Sequence, residues 1–186
     1  RGAGVHAAIL TPHHRQELRH WPGRRRMCCH SGVSLPTPDL PLSSVVHRVG
    51  SGAGSGSGAD CLVLVHGYAE SPDDLTDRLY LIDPDGRFTV VVPTAPFTWK
   101  DRPIWHRPMH DRETAARQYV ESLGHLDELV GAIGSELGIA LADTIVGGFS
   151  QGGGLAVGLL LGADVVHRPA AGVGVCSFPP LVQRFR

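Results

Sequence analysis

The strongest chemical signal in this chain of 186 residues is a serine with glycines two residues away on each side, Gly148-Phe149-Ser150-Gln151-Gly152. A hydroxyl is well placed for nucleophilic attack when it stands at the tip of a sharp strand-to-helix turn, clear of the sheet. Glycine is required at the −2 and +2 positions because a Cβ there would collide with the turn. The spacing alone is weak evidence in a chain with 24 glycines, so its surroundings must decide. Nucleophilic attack on a carbonyl also needs N–H donors for the oxyanion and a base for the serine proton. Two donors can be assigned. The Gln151 N–H opens the helix that follows the serine. The Tyr68 N–H lies in the turn His66-Gly67-Tyr68, where Gly67 lets the chain fold back.

These groups need elements to hold them. Cys61-Leu62-Val63-Leu64-Val65, Phe88-Thr89-Val90-Val91-Val92, Thr144-Ile145-Val146-Gly147-Gly148 and Ala171-Gly172-Val173-Gly174-Val175-Cys176 are apolar runs of strand length. Runs that are apolar throughout predict strands buried on both faces. Val45 to Val49 adds a first, edge strand. Ser71-Pro72-Asp73-Asp74 is a helix start, with an N-cap serine, proline in the first turn and acids behind it. Leu75, Leu79 and Ile82 continue that helix until Pro84. Asp111 caps a long helix with the stripe Tyr119, Val120, Leu123, Leu126, Val130, Ile133, Leu137, and Gly138 ends it. Pro93 to Asp111 is a proline- and aromatic-rich loop. Strands alternating with helices predict an α/β fold, a mostly parallel sheet with helices on both faces. Reactive groups in such a sheet gather at the carboxyl ends of the strands. His66-Gly67-Tyr68, the Pro93–Asp111 loop and Ser150 all fall there.

Domain organisation follows from composition. Residues 1–44 show no sustained period and are expected to be a poorly ordered extension; residues 45–186 form the folded domain, with a Gly/Ser linker at 50–58. Residues 1–58 carry seven arginines against Glu17 and Asp39, whereas the remainder is acidic. The Arg24-Arg25-Arg26 triplet lacks interleaved aromatics and reads as solvated surface, so no nucleic-acid partner is expected. No apolar stretch has the length of a membrane span. Cys61 and Cys176 fall in the apolar runs and read as buried thiols of a reducing compartment, giving a cytoplasmic expectation. No metal or other cofactor is indicated: there is no C-x-x-C pair, G-x-G-x-x-G or Walker A pattern. The chain starts at Arg1, consistent with a fragment, a processed form or a translated upstream region.

Leu64-Val65-His66-Gly67-Tyr68, then Pro93-Thr94-Ala95-Pro96, then Gly147-Gly148-Phe149-Ser150-Gln151-Gly152-Gly153 resemble the phospholipase/carboxylesterase (acyl-protein thioesterase-like) branch of the α/β-hydrolases. The likeness covers about residues 45–178, and the Gly-Phe-Ser-Gln-Gly-Gly stretch is its specific part. It implies Ser150 as nucleophile, Tyr68 and Gln151 N–H groups as oxyanion hole, and small-molecule esters, thioesters or lysophospholipids as substrates. Family members usually carry leucine where Tyr68 stands, which alters the pocket wall and not the backbone donor. Trp105 is the substrate-binding candidate, although Trp105 and Trp99 could equally pack the loop. The family's Trp-Phe/Tyr-Asp is here Trp105-His106-Arg107.

The resemblance also exposes a gap. In the family an acid and then a histidine follow the serine, after further strands. Here 36 residues follow Ser150, with only Asp164 and His167 to offer, three residues apart behind the elbow helix. Both are expected at the opposite end of the sheet. His66 reads as a structural turn residue, and His106 and His110 as loop residues. The triad Asp and His are therefore expected to be missing, the domain to stop after the strand following the nucleophile helix, and that last strand to be an exposed apolar edge. A non-catalytic binding or scaffold protein on the same fold is the alternative. Oligomeric state is not legible.

Overall fold

The computed structural model describes residues 39–47 and 60–177. Expectations for residues 1–38 and for the linker at 50–58 lie outside the described residues.

In chain order the elements are β1 (Ser44–His47), β2 (Cys61–Val65), α1 (Pro72–Thr76), α2 (Leu79–Ile82), β3 (Thr89–Pro93), β4 (Phe97–Trp99), β5 (Arg102–Ile104), α3 (Arg112–Leu137), a 3₁₀ turn (Leu141–Asp143), β6 (Thr144–Phe149), α4 (Gln151–Leu161) and β7 (Ala171–Val175). The main sheet has the order β1-β3-β2-β6-β7. β1 runs antiparallel to β3, and the other neighbours are parallel. This is the mostly parallel α/β sheet expected from the apolar runs.

Side chains alternate across a strand, so each central strand feeds two cores. Cys61, Val63, Val65, Val91 and Val146 face α3 and α4, meeting Tyr119, Leu126, Leu129, Ile133, Leu155 and Leu159. Leu62, Leu64, Val90 and Val92 face the other way, onto Leu75 and Leu79. Helices thus cover both faces over β2 and β3. Leu40 and Leu42 join the first core, so residues ahead of position 45 contribute to the folded body.

α3 matches its sequence signals closely. The Asp111 carboxylate accepts from the Thr114 N–H, and Gly138 closes the helix at φ 70°. The buried face includes Ala115, Ser122 and Leu129, while Val120 points to solvent.

Three expectations are corrected. The helix from Ser71 is two short helices, because Arg78 leaves helical geometry at φ −106°, ψ 2°. The break turns Tyr80, Leu81 and Ile82 outward, leaving Leu81 67% exposed. The Pro93–Asp111 loop contains the β4–β5 hairpin, joined by Lys100 and Asp101 at φ 50° and 60°. Two positive φ values are the mark of a type I′ turn, normally signalled by Asn-Gly. Finally, β7 is not buried on both faces. Gly172 and Gly174 lie so close under α4 that a Cβ on them would stand 2.9 Å from Ala156 O and 2.8 Å from Gly153 O, respectively. The opposite face leaves Val173 and Val175 about half exposed, at 52% and 51%.

Among the described residues no helix is long and apolar enough to cross a membrane.

Two outcomes follow. Gly138→Ala, which forces a Cβ into left-handed backbone, should cost about 1 kcal/mol in urea unfolding. Val173→Lys, which charges the exposed face of the edge strand, should leave the urea midpoint nearly unchanged and lower light scattering on warming.

Candidate functional site

Backbone crowding at one end of the sheet shapes the site. β6 ends at Phe149, Ser150 stands at φ 53°, ψ −115°, and α4 begins at the next residue. A non-glycine residue in such a conformation costs of order 1–3 kcal/mol and persists only where its surroundings enforce it. The enforcement is visible. Ser150 N–H donates to Val175 O at 2.9 Å, and Ser150 O accepts from Gly154 N–H at 3.1 Å. A Cβ on Gly148 would overlap the Gly152 backbone, and one on Gly152 would overlap the Val65 carbonyl oxygen. The first turn of α4 therefore lies directly against the carboxyl ends of β2 and β6. Any side chain at either glycine would push it off.

The turn after β2 is built around a buried histidine. Ala95 N–H donates to His66 Nε2 at 3.1 Å, so Nδ1 carries the proton and donates to Gly67 O at 2.9 Å. Both ring nitrogens are committed to backbone, and the ring ties the exit of β3 to the exit of β2. Burial, the largest influence, holds the His66 pKa below the usual histidine value. His66 is thus a structural turn residue, as expected.

Within that turn, Gly67 N–H donates to Glu70 Oε2, Ala69 N–H to Pro103 O and Glu70 N–H to Gly67 O. Of the four N–H groups at 67–70, only that of Tyr68 has no acceptor among the described residues. The Gln151 N–H is one of the unpaired donors at the start of α4. Tyr68, Ser150 and Gln151 line one cavity of about 360 Å³, whose remaining wall is His106, Pro108, Met109 and Cys176.

Two corrections concern that wall. Trp105, the expected substrate-binding residue, is fully buried. Its indole N–H donates to His66 O at 2.9 Å and its ring lies 5.1 Å from the imidazole, so it packs beneath the cavity instead of lining it. His106 takes the lining position. Its Nδ1 donates to Arg107 O at 2.8 Å, its ring meets Tyr119 edge-on, and burial lowers its pKa. Cys176 is exposed at φ 50°, because β7 ends one residue earlier and the chain turns toward the cavity. Cys61 is buried as expected, its thiol pushed up to about 12 by burial. The aromatic and proline content of residues 93–111 marked this loop, but nothing local distinguished His106, Pro108 and Met109 from their neighbours.

His167 is held far from Ser150. Its N–H and that of Val166 donate to the Asp127 carboxylate of α3, and its ring packs on Gly131. Ala170 N–H then donates to Thr144 O, the first residue of β6. Ser150 follows the last residue of that strand, so about 20 Å of strand separates the two ends. His110 is exposed. Among the described residues no histidine is hydrogen-bonded to the Ser150 hydroxyl.

Burial of neutral His66 predicts a pH dependence of stability. Its folded pKa is lowered, so as pH falls the unfolded chain takes up the proton first and the folded state loses ground. Stability should be full above about pH 6.5, the unfolded histidine value, and decline below it until the folded pKa is passed. Urea midpoints measured from pH 7.5 to 5 should show this fall. His66→Gln, which cannot titrate, should be less stable at pH 7.5 and show a shallower dependence, with His106 supplying the remainder.

No family profile matches the chain, and no curated protein matches it by sequence. Solved structures do. A carboxylesterase from Bacillus cereus is similar at 17% identity and a TM-score of 0.55, over 70% of this chain and 56% of that one. A carboxylesterase from Mesorhizobium loti is similar at 21% identity and a TM-score of 0.54, over 69% and 58%. Esterase PE8 is similar at 27% identity and a TM-score of 0.52, over 64% and 58%. The chain thus spans somewhat more than half the length of the structures it matches. Over that span it has the α/β-hydrolase fold.

Proposed function

We propose that this chain carries the nucleophile half of a serine carboxylic-ester hydrolase. The observation that carries the reading is Ser150 at positive φ on a glycine-flanked strand–helix turn, facing a cavity that it shares with two residues whose N–H groups are unpaired. The Ser150 hydroxyl attacks the ester carbonyl as a base takes its proton. The resulting oxyanion accepts from the N–H groups of Tyr68 and Gln151. Each such donor is typically worth about 2.7–4 kcal/mol in the transition state. The alcohol leaves with a proton, and water releases the acid from the acyl-enzyme. Pro108, Met109 and Tyr68 make the wall suited to an apolar acyl group, as an oxyester or a thioester. The esterase names of the matching structures support the same chemistry. No cofactor enters it. The free thiols of Cys61 and Cys176 suit a reducing compartment, in keeping with a cytoplasmic enzyme.

Among the described residues no histidine is hydrogen-bonded to the Ser150 hydroxyl. His66 uses both nitrogens on backbone, His167 lies at the far end of β6, and His106, whose Nδ1 donates to Arg107 O, shares the cavity without a hydrogen bond to the serine. The same observation favours a second reading, a binding protein on the hydrolase fold.

Fluorophosphonate labelling with p-nitrophenyl ester turnover separates them. The 186-residue chain should be unlabelled, with turnover on the order of 10⁴-fold or more below that of a complete serine hydrolase. The chain extended along its reading frame beyond Arg186 should be labelled at Ser150 and silenced by Ser150→Ala. A folded extended chain that is neither labelled nor active would establish the binding reading. Ordinary Ser150-dependent turnover by the 186-residue chain would show that it already holds a base.

A further inference from the structure

The segment 105–107 that follows β5 pairs with no strand, yet Trp105 and His106 are buried. Buried backbone donors and acceptors must still be paired, and here side chains pair them. Ser122 Oγ of α3 donates to Trp105 O at 2.6 Å, and Arg107 N–H donates to Gln118 Oε1, also of α3, at 2.8 Å. Two further groups are paired by one residue of α4. Trp105 N–H donates to Gln151 Oε1 at 3.2 Å, and Gln151 Nε2 donates to His106 O at 2.8 Å. The segment is slung between two helices, and its only side-chain tie to the serine turn among the described residues is the Gln151 carboxamide.

We propose that the Gln151 side chain is a positioning residue that sets the His106, Pro108 and Met109 wall of the cavity in register with Ser150. The proposal rests on the reading of Ser150 as nucleophile for its catalytic consequence, and on geometry alone for the clamp. At neutral pH the carboxamide offers an acceptor and a donor at once in this spacing, which an ionised carboxylate of the same length does not. A carboxylate would keep the bond from Trp105 N–H but set an oxygen against the His106 carbonyl. An apolar side chain would leave both backbone groups unpaired. One residue then serves twice: its own N–H faces the developing oxyanion, and its amide fixes the wall against which the acyl group lies. Because the wall continues into Pro108 and Met109, releasing the clamp should blur acyl-chain selection more than it slows acylation.

Gln151→Met and Gln151→Glu test this, since both keep the backbone N–H at 151. Residue-resolved amide exchange should show the Trp105 N–H losing about tenfold in protection in Gln151→Met at every pH, with the α3 amides unchanged. In Gln151→Glu the new carboxyl should titrate above the ordinary glutamate range, because its protonated form can donate to His106 O. Trp105 N–H, from which the carboxylate still accepts, should keep more protection than in Gln151→Met, and should reach the wild-type level as pH falls through that titration and the repulsion with His106 O is lifted. In the extended, active chain, acyl-length preference should flatten in Gln151→Met, mainly through KM, and recover toward wild type in Gln151→Glu at low pH. Unchanged Trp105 protection in Gln151→Met, or an ordinary glutamate titration in Gln151→Glu, would overturn the clamp whether or not the serine is reactive. Lost protection with an unaltered acyl profile would overturn the positioning role. A wild-type extended chain that fails to label would sink the nucleophile reading alone, and exchange would still judge the clamp.

Discussion

The contact between the first turn of α4 and the carboxyl end of β2 is the constraint on which the rest of the site depends. Gly152 sits where any Cβ would meet the Val65 carbonyl, and Gly148 where any Cβ would meet Gly152. With both side chains absent, helix backbone can rest on strand backbone, and the residue between them is forced to positive φ. Ser150 is strained because its neighbours are packed, and the packing is strong enough to hold the strain. The Ser150–Val175 hydrogen bond carries the same geometry into β7, so the turn is braced from both flanking strands.

A second hub stands beside the first. His66 joins the exits of β2 and β3, and its carbonyl receives the Trp105 indole N–H. The turn that frees the Tyr68 N–H, the loop that lines the cavity and the buried tryptophan beneath it therefore share one imidazole. A neutral ring is required, because each nitrogen has a fixed partner, one donating and one accepting. The loop's remaining ties run through side-chain amides and hydroxyls of α3 and α4 instead of a β ladder. Such a wall can be altered by changing single side chains while the sheet beneath stays as it is.

β7 shows how packing on one face leaves the other open. Its glycines fit under α4, while its valines face outward on the side where β2 and β3 are covered by α1 and α2. The span shared with this chain is 56% and 58% of the length of two of the matched solved structures. The described part supplies the strained serine and its neighbouring N–H groups, the components that a sheet edge and one helix can build by themselves.

Much of this was legible in the sequence because it is local. Apolar runs located β2, β3, β6 and β7, a cap and a terminal glycine bounded α3, and glycine spacing singled out Ser150. That Tyr68 and Gln151 would offer backbone N–H groups at the end of the sheet could be anticipated, because such groups follow from element ends alone. What the sequence could not specify depends on partners far along the chain. The β4–β5 hairpin turns on Lys100 and Asp101, a pair without the glycine that usually marks such a turn, and is held where Ala69 N–H meets Pro103 O. Trp105 is buried, not wall-forming, because His66 supplies its indole with an acceptor. His106 lines the cavity and Gln151 clamps it through contacts spanning more than forty residues. The local backbone chemistry of the serine turn was written in glycines and element ends; the identity of the wall around it was decided only when two distant helices satisfied the backbone of a segment without a strand partner.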